Sequence, residues 1–214
     1  LSFQPLSRID DEDERQWALD WLCDYLREEG VEVTPEQKSI IRDSLATVAG
    51  MQESDRTMTT FISFLQSREL KTAFYPMSLA DDQGNKGEYG EIFDSNEDHL
   101  SITSWQSFEM ETLMNARRIV GTTLMYIFHR IENVVKSAEK KNQEPTLIVL
   151  DECWVFFENP MFAEKIKEWL KTLRKYNTSV LFATQSLDDV AKSAIFDTVL
   201  SSSQSRIFLP DKLA

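Results

Sequence analysis

Two adjacent carboxylates stand at the end of an apolar segment. Residues 146–152 read Thr-Leu-Ile-Val-Leu-Asp-Glu, so Asp151 and Glu152 follow a run that is typical of a buried strand. Acids at such a tip are costly to desolvate unless a cation lies beside them. Magnesium-bound ATP provides one: Asp151 would hold Mg²⁺ through water, and Glu152 would polarise the water that attacks the γ-phosphate. The alternative is a strand that simply ends in a solvated acidic turn.

An amide follows the next predicted strand. Residues 162–175 carry apolar side chains at helical spacing, and residues 179–185 form a second apolar run that ends in Gln185. A crossover helix between two parallel strands brings their carboxyl ends to one edge of the sheet, where ligands bind. Gln185 could therefore hydrogen-bond both the attacking water and a γ-phosphate oxygen. Alternatively, it is an N-cap-like residue opening the helix at Leu187.

The elements before this site are predicted to be helical. Apolar and aromatic residues recur at helical spacing in residues 12–28, 34–50 and 57–67, and Thr34-Pro-Glu-Gln37 has the form of a capping box. The segment 70–98, with its proline and three glycines, is predicted to be an irregular connection. Three successive helices indicate an all-α lobe.

The periodicity of the apolar residues changes at His99. Residues 101–105 alternate as a strand does, residues 113–136 have the period of a long helix, and residues 206–209 form a last apolar strand. Together with the two strands at the site, they predict an α/β fold with a RecA-like half sheet.

Short motifs along the chain resemble one known family. The matching segments are spread over nearly the whole chain: 3–6, 87–94, 107–110, 150–154, 173–177, 183–189 and 207–210. With them the chain is similar to the C-terminal part of the conjugal-transfer ATPases of type IV secretion systems, the TrbE/CagE-like group, relatives of hexameric DNA translocases. The resemblance implies a P-loop NTPase of the ASCE type, a hexameric ring, and ATP hydrolysis with Mg²⁺ that powers type IV secretion or conjugal transfer.

The phosphate-binding glycine motif of that family is absent. None of the six glycines belongs to a Gly-x-x-x-x-Gly-Lys-Ser/Thr sequence, and the stretch Gly84–Gly90 carries acids and follows no apolar strand, so it is predicted to be a turn or flexible loop. In the resembled family the motif precedes the Phe-x-Pro-Leu segment, here residues 3–6. We therefore expect a C-terminal fragment without the first strand and Walker A, which binds nucleotide weakly and is inactive alone.

The resemblance also implies a domain organisation and partners. Residues 1–11 would be a strand or entry segment of the ATPase domain, 12–98 the helical lobe with its connection, and 99–214 the ATPase core. The expected partners are further copies of the chain in a hexamer, other inner-membrane components of the secretion system and, in the parent, DNA. The expected location is cytoplasmic and peripheral to the inner membrane.

Arg174 is a candidate arginine finger. It ends the predicted crossover helix, where ring-forming translocases often carry an arginine that reaches the neighbouring subunit's site and stabilises phosphoryl charge. Equally, Arg174 and Lys175 could be cations that favour a helix C-terminus. Arg118 and Arg206 are weaker candidates, for which ordinary surface pairing is favoured.

Charge and composition restrict the function. The net charge of −13 argues against a general phosphate-backbone binder, because such affinity comes largely from Lys and Arg. The acidic run 10–14 fits the first turn of a helix or, alternatively, a docking site. Two distant cysteines without metal-ligand spacing indicate reduced thiols. Two other functions stay open: a DNA-translocating ATPase of the coupling-protein type, marked by salt-sensitive DNA binding, and a non-catalytic docking scaffold, marked by indifference to Glu152→Gln.

Overall fold

Helices form most of the computed structural model, which describes residues 2–80, 84–100, 103–109, 118–137, 145–158 and 160–210. The chain divides into two compact units, residues 1–130 and 131–214, and the boundary falls inside a long helix. Within the described ranges, no helix is both long enough and apolar enough to cross a membrane.

The first unit is built from helices, and residues 5–10 before the first helix form turns. The helices are α1 (Glu12–Glu28), α2 (Pro35–Ala49), α3 (Met58–Phe64), α4 (Arg68–Phe74), α5 (Gly90–Phe93) and the start of α6 (Val120–Ser137). Short 3₁₀ turns lie at Glu53–Asp55 and Tyr75–Met77.

Side-chain caps explain where the first two helices begin. The Asp11 carboxylate accepts hydrogen bonds from the backbone N–H groups of Asp13 and Glu14, so the acidic run opens α1. Thr34 and Gln37 form the predicted reciprocal capping box at the start of α2. The predicted bounds of both helices are confirmed.

The segment predicted to be irregular contains more helix than expected. The Ser67 hydroxyl accepts from the backbone N–H of Leu70 and caps α4, a helix that the prediction missed. Helix α3 is shorter than predicted because Leu65 already has extended backbone angles. The buried carboxylate of Asp94, directly after α5, accepts from the backbone N–H groups of Thr59 and Leu79 at 2.8 and 2.6 Å. Asp94 thereby connects three chain segments.

Aromatic side chains form the centre of the first unit. Trp21 is buried and its indole donates to the carbonyl of Thr122 at 2.9 Å, which connects α1 to α6. The ring of Trp17 stacks on His129 with 3.8 Å between centroids. Phe3, at the start of the chain, packs against Tyr126 at 5.0 Å. Trp21 and Tyr126 are buried core residues, as the helical spacing indicates, and Phe3 is buried with them, whereas Trp17 and His129 are half-buried.

The second unit contains a parallel pair of strands. Its elements are β1 (Thr146–Leu150), α7 (Trp154–Glu158), α8 (Pro160–Thr172), β2 (Thr178–Phe182), α9 (Leu187–Ala191) and α10 (Phe196–Ser202), with a 3₁₀ turn at Leu173–Tyr176. Strand β1 pairs with β2 in parallel, from Thr146 opposite Thr178 to Leu150 opposite Phe182. The predicted strand, crossover helix and second strand are thus confirmed.

A buried carboxylate connects two helices of the second unit. Glu132 of α6 contacts Lys136 and Lys165, each at 2.5 Å, although the Glu132 side chain is only 5% exposed. Burial alone would raise the pKa of Glu132, but the hydrogen bonds from the two lysines outweigh it and hold the pKa below its ordinary value. Glu132 therefore stays ionised and holds α8 against α6.

Two predictions for the α/β half need correction, and a third is confirmed in its described part. Residues 206–209 form no strand but an exposed segment without regular secondary structure, because no described strand lies beside them to accept their hydrogen bonds. Of the predicted strand 101–105, residues 101 and 102 lie outside the described residues, and 103–105 are not in a strand. Of the predicted helix 113–136, residues 113–117 lie outside the described residues, and the helix is confirmed from Val120.

Candidate functional site

The carboxyl ends of β1 and β2 bring the predicted acids and amide to one edge of the sheet. The ladder continues past both strands, since Ala183 N donates to Leu150 O at 3.0 Å and Cys153 N donates to Ala183 O at 2.9 Å. These bonds fix the acidic turn beside the loop that carries Gln185. The edge thus has the arrangement at which parallel α/β sheets bind ligands.

Glu152 has an unusual backbone conformation for a residue with a side chain. Its φ is +47°, in the left-handed region, which costs about 1–2 kcal/mol for a non-glycine residue. One carboxylate oxygen, Oε2, accepts from the indole Nε1 of Trp154 at 3.0 Å. The side chain is half-buried, whereas Asp151 is exposed. Strained residues are found preferentially at functional sites, so this conformation supports a role for Glu152.

Asp151 can serve as a magnesium ligand through water. Its carboxylate is at the surface, and Oδ1 accepts from the backbone N–H of Glu152 at 3.1 Å. Mg²⁺ prefers oxygen ligands and keeps several waters, so one exposed carboxylate beside a bound phosphate fits it. A cluster of three or more His, Cys, Asp or Glu side chains that could enclose a metal does not occur in the residues that the structure describes.

Gln185 is exposed at the tip of the neighbouring loop. The hydroxyl of Thr184 donates to Ser186 O at 3.0 Å, and Ser186 N approaches the same hydroxyl at 3.2 Å. This small turn shapes the backbone on both sides of Gln185. Helix α9 begins at Leu187, so its N-cap position is Ser186 and Gln185 lies one residue before it. Its amide is therefore accessible to a ligand.

Cys153 lies next to Asp151 and Glu152, but its thiol is not a reactive group. Its side chain is buried, and burial raises the pKa of the thiol to about 11. The thiol is therefore protonated near neutral pH. Cys153 contributes packing beneath the acidic turn.

Arg174 lies at the opposite end of the sheet from the acids. It belongs to the 3₁₀ turn that precedes β2, and Asn177, in the left-handed conformation, ends that turn. A five-residue strand spans about 13 Å, so β2 separates Arg174 from the carboxyl edge of its own sheet. Arg174 is exposed. The structure does not bring it to the site within one chain.

The other two candidate arginines have contacts of their own. Arg206 donates to the carbonyl of Leu200 at 2.8 Å, so it supports the turn after α10. Arg118 lies in the turn before α6; burial raises the pKa of Tyr89, and the nearby Arg118 guanidinium opposes that rise. Both interactions agree with the ordinary pairing that the sequence favours for them.

The glycine stretch before α5 is packed against another backbone segment. Gly87 N donates to Ser78 O at 3.0 Å, and Tyr89 N donates to Pro76 O at 2.7 Å. Since these N–H groups are already paired with carbonyls, they are not available to a phosphate. A Cβ on Gly90 would overlap the Ser78 carbonyl and lie 2.7 Å from Leu79 N. Gly87 and Gly90 thus permit close packing.

We expect Gly90→Ala to lower the free energy of unfolding by about 3 kcal/mol, the upper end for overpacking, because the added methyl meets backbone atoms. Gly50→Ala is the matched control: its Cβ would make only an ordinary 3.5 Å contact with Thr47 O, so stability should change little or rise. Denaturant unfolding of both variants measures the difference. Equal stabilities would contradict the close packing of Gly90.

Sequence comparison places the chain in a family. A family model described as the TraG P-loop domain matches residues 61–213. The chain is 35% identical over 215 aligned residues to a probable conjugal transfer protein TrbE of Sinorhizobium fredii, and 36% identical to the conjugal transfer protein TrbE of Rhizobium radiobacter. This chain belongs to the TrbE/VirB4-like family of conjugal transfer ATPases.

A solved structure of the same family agrees with the fold. VirB4 of Thermoanaerobacter pseudethanolicus aligns with a TM-score of 0.59 and 16% identity, and the alignment covers 92% of this chain and 57% of the solved one. The likeness supports a P-loop NTPase fold. Both sequence alignments cover the whole of this chain. They cover only 30% of the length of the Sinorhizobium relative and 24% of the length of the Rhizobium relative.

The structure adds one residue that the sequence did not single out. In sequence Trp154 is only the last residue of the family motif 150–154, but in the structure its indole contacts the carboxylate of Glu152. The two-residue spacing of Glu152 and Trp154 gives only a weak signal for this contact in the sequence. Side chains two residues apart meet only when the backbone between them forms a tight turn. That turn became visible only in the structure.

Proposed function

We propose that this chain is part of a hexameric ATPase that powers type IV secretion or conjugal transfer by hydrolysing ATP with Mg²⁺. The observation that carries the proposal is the common sheet edge of Asp151, Glu152 and Gln185, produced by the parallel register of β1 and β2. Membership of the TrbE/VirB4-like family supports it. An acid pair beside an amide at such an edge suits phosphoryl transfer to water.

Each residue at this edge has a distinct role in the proposal. Asp151 would hold Mg²⁺ through water, and the metal would supply positive charge beside the phosphates. The Glu152 carboxylate orients the attacking water and accepts its proton. The Gln185 amide donates to a phosphate oxygen and accepts from the same water.

The phosphate cradle, in this proposal, belongs to a segment outside the given sequence. The RecA-like sheet of the complete ATPase would gain its first strand and Walker A there. Supporting this, one face of the strand pair is apolar and solvent-exposed, with Leu147, Val149 and Leu181 at 61%, 55% and 43% exposure. The segment after α10 is exposed as well, with Ile207 at 85% and Phe208 at 74%. Apolar surface of this kind marks an interaction site.

We predict that the purified 214-residue chain hydrolyses no ATP above background and that millimolar ATP does not shift its melting temperature, because it lacks the glycine nest and lysine that hold phosphates. Calorimetry and a phosphate-release assay measure both. The control is the same chain with Glu152→Gln, which identifies contaminating activity as turnover that survives the substitution. Turnover that disappears in that control would contradict the inactive-fragment proposal.

The relatives' names guide the proposed partners and location. Relatives named for conjugal transfer support contact with other components of a transfer machine. The proposal further places the hexamer in the cytoplasm, against the inner membrane. Turnover by the complete protein that DNA stimulates in a salt-sensitive way would instead favour the DNA-translocating, coupling-protein type. Secretion that survives Glu152→Gln but not removal of the helical unit would favour a docking scaffold.

A further inference from the structure

The side chain of Trp154 lies against Glu152, the residue that orients the attacking water in the proposed function. The indole Nε1 donates to Oε2 of Glu152 at 3.0 Å. In the part of the chain that the structure describes, Oε1 of the same carboxylate receives no hydrogen bond. One oxygen is therefore held by the protein and the other is available.

The turn between the two residues fixes their separation. Val155 N donates to Glu152 O, and Phe156 N donates to Cys153 O, both at 3.1 Å. The left-handed backbone of Glu152 makes this tight return possible. The contact between Glu152 and Trp154 therefore follows from backbone geometry.

Helix α7, which begins with Trp154, is anchored on both sides. The buried Phe157 ring packs against Phe182 of β2 at 5.6 Å between centroids. The buried Phe156 ring meets Phe162 of α8 edge-on at 6.4 Å. Because α7 is packed against both the strand and the helix, it gives Trp154 a rigid support.

An indole is a suitable group for orienting a carboxylate. Its N–H can only donate, and it does not titrate, so it cannot compete with Glu152 for a proton from water. A lysine in its place would form an ion pair and weaken the carboxylate as a base. Indole donation restrains the side chain and leaves the second oxygen for water.

We propose that Trp154 is the positioning residue of Glu152: it holds Oε2 so that Oε1 faces the attacking water. This inference rests on the proposed function, in which Glu152 orients the attacking water. Hydrogen-bond partners that orient metal ligands typically change activity by about 10- to 100-fold when removed, and we expect an effect of the same order here.

The first experiment examines the contact in the 214-residue chain. In ¹⁵N-edited NMR, the Trp154 indole N–H, assigned through Trp154→Phe, should exchange slowly with solvent. In Glu152→Ala it should shift and exchange faster, toward the behaviour of Trp105, which is 89% exposed. The buried Trp169 should not change. A Trp154 resonance that is unaffected by Glu152→Ala would overturn the contact, and the proposal with it.

The second experiment measures turnover in the complete ATPase. Trp154→Phe keeps an aromatic ring and removes the donor, so kcat should fall about 10-fold or more while KM for ATP stays within about twofold. Trp105→Phe is the matched control and should leave both constants unchanged. In a Glu152→Gln background, Trp154→Phe should cause no further loss, because both substitutions affect one group.

The outcomes separate this inference from the proposed function. If Glu152→Gln abolishes turnover and Trp154→Phe leaves kcat unchanged, the positioning role is overturned and the proposed function stands. If Glu152→Gln itself leaves turnover unchanged, the proposed function fails and the positioning role falls with it. An equal fall in kcat and rise in KM for Trp154→Phe would indicate a general disturbance of the site and would also overturn the inference.

Discussion

Glu152→Gln in the complete ATPase is expected to lower turnover by about 100-fold or more while ATP still binds. The substitution keeps the size of the side chain and its ability to accept from Trp154, whose indole donates to Oε2 at 3.0 Å. It removes the negative charge that, in the proposed role of Glu152, polarises water and accepts its proton. Steady-state kinetics together with a nucleotide-binding titration measure the two effects separately.

Asp151→Asn is the comparison that distinguishes the two acids. Asp151 is exposed and would act through Mg²⁺, so its replacement should raise the magnesium concentration needed for half-maximal turnover. Glu152→Gln should leave that concentration nearly unchanged. If both variants keep kcat within a few-fold of wild type, the two carboxylates are only a solvated strand end.

The strands at the site could be predicted because their signals are local. An apolar run that ends in Asp151 and Glu152, a helical spacing of apolar residues, and a second run that ends in Gln185 define two parallel strands with a crossover. In the structure one face of β1 is buried at Leu150, while Leu147 and Val149 on the other face are exposed. Short-range patterns therefore specify the common edge.

The strand predicted at residues 206–209 failed for a physical reason. Its apolar residues have the propensity for a strand, but backbone groups pair only when a neighbour is present. Ile207 is 85% exposed. Propensity describes one chain segment, whereas a sheet needs two, and no described strand other than β1 and β2 exists in the second unit.

The details of Glu152 could not be predicted from sequence either. Glutamate rarely adopts a positive φ, so nothing in its residue type indicates the left-handed turn. That turn depends on the bond from Cys153 N to Ala183 O, which joins residues thirty positions apart. Tertiary contacts of this kind determine side-chain orientation, and periodicity does not report them.

Arg174→Ala is expected to cut turnover of the complete ATPase by about 1,000-fold, the lower end of the arginine-finger effect, and to leave ATP binding nearly intact. Strand β2 separates Arg174 from the acidic edge of its own sheet, so a catalytic role requires it to act on a neighbouring subunit. Steady-state turnover and ATP binding measured on the same preparation provide the test.

The alternative for Arg174 is a local one, because Arg174 and Lys175 lie in the 3₁₀ turn that ends the crossover helix. A cation at a helix end contributes about 0.3–1 kcal/mol of stability. In that case Arg174→Ala should lower the melting temperature slightly and change turnover little. Lys175→Ala is the matched control, since it removes the adjacent cation from the same turn and should show only the small stability effect.

Mixing two inactive variants distinguishes the two roles of Arg174, an arginine finger that acts on the neighbouring subunit and a cation that stabilises a helix end. In a ring made of Arg174→Ala and Glu152→Gln subunits, some interfaces pair an intact Glu152 with an intact Arg174 from the neighbour. Those interfaces should recover part of the wild-type turnover, in proportion to their frequency in the mixed ring. A residue that acts only within its own subunit cannot restore activity in this way. If mixed rings form, as shown by co-purification of two tags, and remain inactive, Arg174 is structural and the finger lies elsewhere.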